Sequence, residues 1–442
     1  MLNLWGNNTR KDCSGLNRRD FLTVGALAMT GLTLPGLLKL RQAAANTGQS
    51  TRDTSVVWLW LGGGPTHVET FDPKMTAPAE FRSMVGHVQT SVPGLHIGGL
   101  YPQMGRSAHK MAFIRSFAHG NSGHGGGTHY VMTGVDHPPA DAGQAQIRPS
   151  IGSIASRVRG ANSPATGLPT YVRLSGLYGD GPHWLGSAYA PFDTSGEARN
   201  NININLPLER MHDRRALLQR FDNVNRDIDR TGVMAGLDAF DRQAVSLLTG
   251  RAREAFDIER EDPRTRDRYT IGTAGLGANL LLARRLCQAG AGFVTLNYSN
   301  SSQGWDMHND MLPQLRQACP PMDRAISVFL EDLEQCGMAD KVLLVITGEF
   351  GRTPRINGSA GRDHWGPLCT LALAGGGLRM GQAVGESSER AELPRTAPIY
   401  PKDLMATIFH VLGIPQQLQY NDQTGRPTYL LPEGARPIAE LV

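Results

Sequence analysis

Four short stretches of the 442-residue sequence gather the residue types that hold cations or move protons. GGGPTHVETFDPK (62–74) carries His67, Glu69 and Asp72, and HGNSGHGGGTHYVMTG (119–134) carries His119, His124 and His129. NSSQGWDMHND (300–310) carries Asp306, His308 and Asp310, and GEFGRTPRINGSAGRDHWGP (348–367) carries Glu349, Arg352, Arg362, Asp363 and His364. Imidazoles and carboxylates together form the ligand set of a borderline divalent cation, zinc or calcium being the expected ion. Such an ion lowers the pKa of a bound water and polarises an ester oxygen, and an arginine offsets charge in the transition state. The candidate ligands are His67, Asp306, His308, Glu349 and His364. Arg352 and Arg362 suit bidentate recognition of an anion. The runs at 62–64 and 125–127 have no side chains, so their backbone N–H groups can approach an anion closely.

These stretches acquire meaning from the elements that precede them. Residues 54–61 are β-branched, aromatic and uncharged, the pattern of a strand buried on both sides of a parallel sheet. Further strands are predicted over 111–117, 171–174, 292–298, 341–347 and 369–374. Helical periodicity covers 207–289, 311–336 and 402–412, so 292–347 reads as a βαβ unit with a right-handed crossover. Alternating strands and helices predict an α/β fold, a mostly parallel sheet with helices on both faces. In such sheets ligands bind outside the carboxyl ends of the strands, and all four stretches follow predicted strands. The five-residue spacing of His119, His124 and His129 matches neither a helix face nor a strand face, which predicts a loop folded around a ligand.

Composition narrows the setting. Of the net charge of +4, residues 1–45 supply all, with six bases against two acids; the remainder balances 38 bases with 38 acids. A neutral body leaves no electrostatic footprint for nucleic acid. Paired Arg18 and Arg19, followed by Phe21, Leu22, a mildly apolar run and Ala43–Ala45, read as a twin-arginine export signal. Gly25, Gly31, Pro35 and Gly36 make that run a poor permanent membrane span. The expected partner is therefore the twin-arginine export machinery, and the expected location periplasmic or secreted. The layout is a leader over 1–45, a linker over 46–53, and a single domain over 54–442 with a helical insertion near 207–289. Beyond Cys13 the cysteines are Cys287, Cys319, Cys336 and Cys369, too few for a disulfide framework and read as buried small hydrophobes.

Taken together, the twin-arginine leader, GGGPTHVETFDPK, the Thr-Gly pair after the His-rich stretch, GEFGRTPRIN, GRDHWGP and LALAGGG resemble the exported proteins of domain-of-unknown-function family fifteen-oh-one. The resemblance runs from about Val56 to Pro415. That family resembles the alkaline phosphatase and sulfatase superfamily, which implies an alkaline-phosphatase-like fold and a metal-dependent hydrolase of phosphate or sulfate esters, small or polymeric. The motif correspondence is uneven. Where the superfamily has Thr-Ser-Asp-His-Gly, this chain has Thr347-Gly348-Glu349-Phe350-Gly351; Glu349 can ligate and Phe350 cannot. The first strand ends in Leu61-Gly62-Gly63 instead of an Asp, with His67 and Asp72 as the nearest replacements. The sulfatase nucleophile position, nine residues before the Thr133-Gly134 pair, falls on His124, so the resemblance implies a ligand, a general acid or a phosphohistidine-forming nucleophile there, the first two preferred, with Thr66, Thr128 and Ser122 as spare hydroxyls. Asp306 with His308 or Asp310, and His364, resemble the ligands of the superfamily's second metal site. The second reading is a catalytically silent binding protein for an anionic glycan or envelope component. A redox role has no support, because GGGPTH lacks the dinucleotide-binding spacing.

Overall fold

A computed structural model describes residues 53–194, 252–301 and 303–442. The export signal, most of the linker and residues 207–251 of the predicted helical insertion lie outside the described residues. One compact unit comprises 53–419 and 429–442; a second comprises 1–52 and 420–428, of which 420–428 are described.

The strands in chain order are β1 (Ser55–Trp60), β2 (His87–Gln89), β3 (His96–Gly98), β4 (Met111–Ile114), β5 (Tyr171–Arg173), β6 (Phe192–Asp193) and β7 (Phe293–Asn297). They continue as β8 (Val342–Thr347), β9 (Gly351–Arg352), β10 (His364–Trp365), β11 (Leu371–Gly375), β12 (Gln382–Val384), β13 (Gln419–Asn421) and β14 (Pro427–Tyr429). Eight of them form one sheet in the order β12-β4-β11-β8-β1-β7-β5-β6. Every neighbouring pair is parallel except those made by β11, which runs against both β8 and β4. The sheet is thus mostly parallel, as expected, with one reversed strand.

β1 is central and wholly buried, which is why its sequence is apolar without alternation. Val57, Leu59 and Leu61 join a core built with helices Leu276–Gln288 and Met311–Gln335. Trp58 points the other way and stacks on Phe293, whose ring also meets Tyr171. That second face is covered by Ile151–Arg159 and Pro401–Leu412, so helices lie on both faces. Strands β7 and β8 are joined through Met311–Gln335 and flank β1, so this crossover steps over the central strand. The helix runs through Pro320 and Pro321. Pro321 has no N–H for the carbonyl of Gln317, and the Asn300 amide bonds that carbonyl at 3.0 Å instead.

Three expectations are corrected. The strand predicted over 111–117 ends at Ile114, because the chain leaves the sheet at Arg115, whose guanidinium reaches the carbonyls of Phe71 and His96. The Gly- and His-rich stretch is not a loop but opens a helix, His124–Thr133. Of the four cysteines, Cys336 is exposed at the end of its helix, while Cys287, Cys319 and Cys369 are buried.

Candidate metal centre

The carboxyl ends of β1, β7 and β8 deliver three of the four motif stretches to one place. After β8, Gly348 permits the chain to turn against Pro65 and Leu61, where a Cβ would lie 2.3 Å from the proline ring. Glu349 follows, buried, accepting from the Gly63 N–H at 2.8 Å. In the next step Arg352 and His364 face each other across the short antiparallel ribbon of β9 and β10. Asp306 and His308 come from the segment after β7, where Trp305 and Met307 turn into the core and the two polar residues alternate outward. Gly63, at φ +113°, allows that segment to approach: a Cβ there would sit 2.4 Å from the Asp306 nitrogen.

Asp306 Oδ1, His308 Nε2 and His364 Nε2 form a triangle with each side 3.0 Å. His364 Nδ1 lies 2.9 Å from the Ser122 carbonyl, which can only accept, so Nδ1 carries the proton. His308 Nδ1 is likewise 3.0 Å from Asp363 Oδ1. The Nδ1 bonds therefore turn the Nε2 of each ring toward the same point as a carboxylate oxygen. Two imidazole nitrogens and a carboxylate oxygen converging there suit a cation, and the Arg352 guanidinium also reaches this point, bonding Asp306 Oδ1 and lying 3.4 Å from His308 Nε2. Ligand bonds of about 2 Å in tetrahedral geometry put neighbouring ligand atoms roughly 3.3 Å apart, within a few tenths of the triangle's side. The Nδ1 partners are the outer hydrogen bonds that orient ligating histidines. Asn357 extends the support, bonding both the His308 carbonyl and Asp363.

His124 stands on the opposite side of Asp306. Its Nε2 is 3.4 Å from Asp306 Oδ2 and its Nδ1 is 2.8 Å from Glu349 Oε1. Hydrogen bonds to Asp306 and Glu349 push the His124 imidazolium up to about 9, against the effect of burial. Burial alone would raise the Asp306 carboxyl, yet bonds from His124, His364 and Arg352 hold it far below the usual carboxylate range. Ligand atoms of His124, Asp306 and His364 all lie within 4.8 Å of one another. Glu349 Oε2 is buried without a hydrogen-bond partner among the described residues, which leaves it able to accept from a ligand or a cation. The ring of Phe350 packs on His124 and His364, centroids 5.0 and 4.3 Å away.

Arg352 is fully buried. It donates to Asp306 and to the carbonyls of Gly63, Gly64 and Arg362, so it ties the ribbon to the first stretch while contributing one positive charge beside Asp306. Arg362 lies elsewhere. Its guanidinium meets Glu69 Oε1 at 2.9 Å, both side chains fully buried, and it also bonds the carbonyls of Thr353 and Pro354. His67 is also away from the cluster, its Nε2 3.1 Å from the Ala391 carbonyl, because its short helix His67–Thr70 faces inward. Asp72 bonds Ser387 and pairs with Lys74 and Arg115. Asp310 precedes helix Met311–Gln335 in the left-handed region, with φ of +41°.

The glycines of the second stretch are explained by packing. Cβ atoms at Gly123, Gly125, Gly126 and Gly127 would come within 2.1–2.7 Å of Asp141, Ala140, Asn121 and Glu349 respectively. His124 and His129, five residues apart on one helix, point to different sides. His129 is buried beside Val135 and Ile147, and His119 is buried with Nδ1 accepting from the Asn121 N–H. Of the spare hydroxyls, Thr66 donates to Glu69 and Ser122 accepts from the Gly366 N–H. Thr128, one turn after His124, lines a cleft of about 480 Å³ next to the cluster.

The family described as "Protein of unknown function (DUF1501)" matches residues 53–442. No curated protein matches the sequence. Among solved structures, the chain is similar to the sulfatase PsFucS1 from Pseudoalteromonas sp., at 13% identity over 94% of this chain and 77% of that one, TM-score 0.40. It is similar to alkaline phosphatase from the Antarctic bacterium TAB5, at 13% identity over 83% and 100%, TM-score 0.36. A phosphonate monoester hydrolase from Silicibacter pomeroyi shows 12% identity over 87% and 76%, TM-score 0.33.

Proposed function

This chain belongs to the DUF1501 family, and on that premise we propose that it is an exported, metal-dependent hydrolase of phosphate or sulfate esters. The observation that carries the reading is the triangle of acceptors from Asp306, His308 and His364. These three residues would hold the ion, with Glu349 adjacent. A divalent cation held there would supply Lewis acidity toward an ester oxygen and toward the attacking water. His124 is held at Nδ1 by Glu349 at 2.8 Å and more loosely at Nε2 by Asp306 at 3.4 Å, and it borders the cleft, so Nε2 is the atom that would exchange its partner and donate a proton to the leaving oxygen. Arg352 keeps Asp306 ionised and fixes the ribbon that carries His364. Arg362 has no part in the reaction, since its charge is spent on Glu69.

Export rests on the twin-arginine pattern at the amino terminus. Among the described residues no helix is long and apolar enough to cross a membrane.

Metal analysis of the purified protein, with turnover of 4-nitrophenyl phosphate and 4-nitrophenyl sulfate, tests the proposal. A stoichiometric divalent ion and ester cleavage, both lost in His364→Ala, are expected; neither metal nor turnover in the wild type would reject it. One observation favours a silent binding protein instead: the Arg352 guanidinium already neutralises Asp306. That reading predicts ligand binding indifferent to chelators.

A further inference from the structure

The cleft beside His124 is floored by the carboxyl ends of the two central strands, where Trp60 and Asn297 are register partners. One wall is helix His124–Thr133, through His124 and Thr128. The opposite rim includes Tyr178, 53% exposed, while Asp141 and Glu349 complete the polar lining. Three lining groups have no hydrogen-bond partner among the described residues. They are the Asn297 amide nitrogen, whose Oδ1 accepts from Gly62, the Thr128 hydroxyl, and Asp141 Oδ2, whose sister oxygen accepts from the Gly126 N–H at 2.7 Å. An amide donor, a hydroxyl and a carboxylate acceptor beside an exposed aromatic face match a ring that carries hydroxyls on its edge and C–H groups on its face. Among the described residues the cleft is lined by no Lys or Arg; the His124 imidazole is paired with Glu349, which leaves the Asp141 carboxylate as the cleft's uncompensated charge. A second sulfate or phosphate on the ligand would meet like charge there.

We propose that this cleft holds the uncharged, polyhydroxylated body of the ester, a sugar ring, with Tyr178 as its stacking face and Asn297, Thr128 and Asp141 as its hydroxyl partners, and that it rejects polyanionic polymers. The assignment rests on the hydrolase reading only for the charged end of the ligand.

Calorimetric titration of the full chain with glucose 6-sulfate, glucose 6-phosphate, inorganic phosphate, inorganic sulfate and dextran sulfate tests it. The sugar esters are expected to bind at least tenfold tighter than the matching inorganic anion, on the order of one stacked ring with its hydroxyl contacts. Tyr178→Ala, at an exposed position, removes that margin and leaves the inorganic anions unchanged; Thr128→Val narrows it. Dextran sulfate gains nothing over inorganic sulfate. Tightest binding by dextran sulfate, sugar esters no better than the inorganic anions, or a Tyr178→Ala variant with unchanged affinities would each overturn the assignment. Metal content and 4-nitrophenyl ester turnover on the same preparation report the hydrolase reading separately. An inert, metal-free protein that still binds sugar esters through Tyr178 would end that reading and keep this one, and an active enzyme indifferent to Tyr178 would do the reverse.

Discussion

Arg352 and Arg362 stand ten residues apart in one motif, and both are fully buried. Arg352 lies against Asp306, a carboxylate one-third exposed at the mouth of the cluster. Arg362 lies against Glu69, inside a region that also buries His67. One region holds its polar groups where a ligand can reach them, and the other closes its charges on themselves. Equal motif membership therefore says little about role; what separates them is whether the partner carboxylate keeps an open side. The inner pair is closed off, and the outer one borders the open cluster.

Glu69→Ala should break that contrast most. It leaves the Arg362 charge buried and unpaired, so urea unfolding should show a loss of about 3–5 kcal/mol, with metal content of the folded fraction retained. Acidification comes next. Burial lowers His67 from 6.5 to about 4. The unfolded chain therefore takes up this proton first: the contribution is present above about pH 6.5 and is lost as pH falls through about 4, on the order of 3 kcal/mol. Unfolding midpoints at pH 7 and pH 4.5 check the sign; a rise on acidification would contradict it.

His364→Ala addresses the outer region. The ring is partly exposed, so the melting temperature of metal-free protein should barely move, whereas affinity for zinc should fall about a hundredfold by competition with a chelator. Asp363→Asn, which weakens the hold on His308 Nδ1, should cost about tenfold in the same assay and leave stability within about 0.5 kcal/mol. If instead Asp363→Asn destabilised as much as Glu69→Ala, the division between the regions would be lost.

How much of this was legible in the sequence depends on the scale. β1, β7 and β8 stand out because strands buried on both faces carry no charge, and the motifs that follow them had to share an edge. That Asp306, His308, Glu349 and His364 meet was readable for this reason. His67 was not separable from them, because a four-residue helix turns it inward and no local spacing reports that turn. The His-rich stretch looked like a loop because four glycines weaken any helical signal. Their purpose, close approach of Asn121, Ala140, Asp141 and Glu349, exists only in three dimensions. The Ser122 carbonyl that orients His364 carries no side-chain signature at all.

Phe350 follows Glu349, and its ring rests on Gly64, whose missing Cβ would lie 2.3 Å from it. A flat hydrocarbon plate behind His124 and His364 shuts the rear of the cluster. An incoming molecule is thereby kept off that side of the two imidazoles and reaches them from the side away from the phenyl ring.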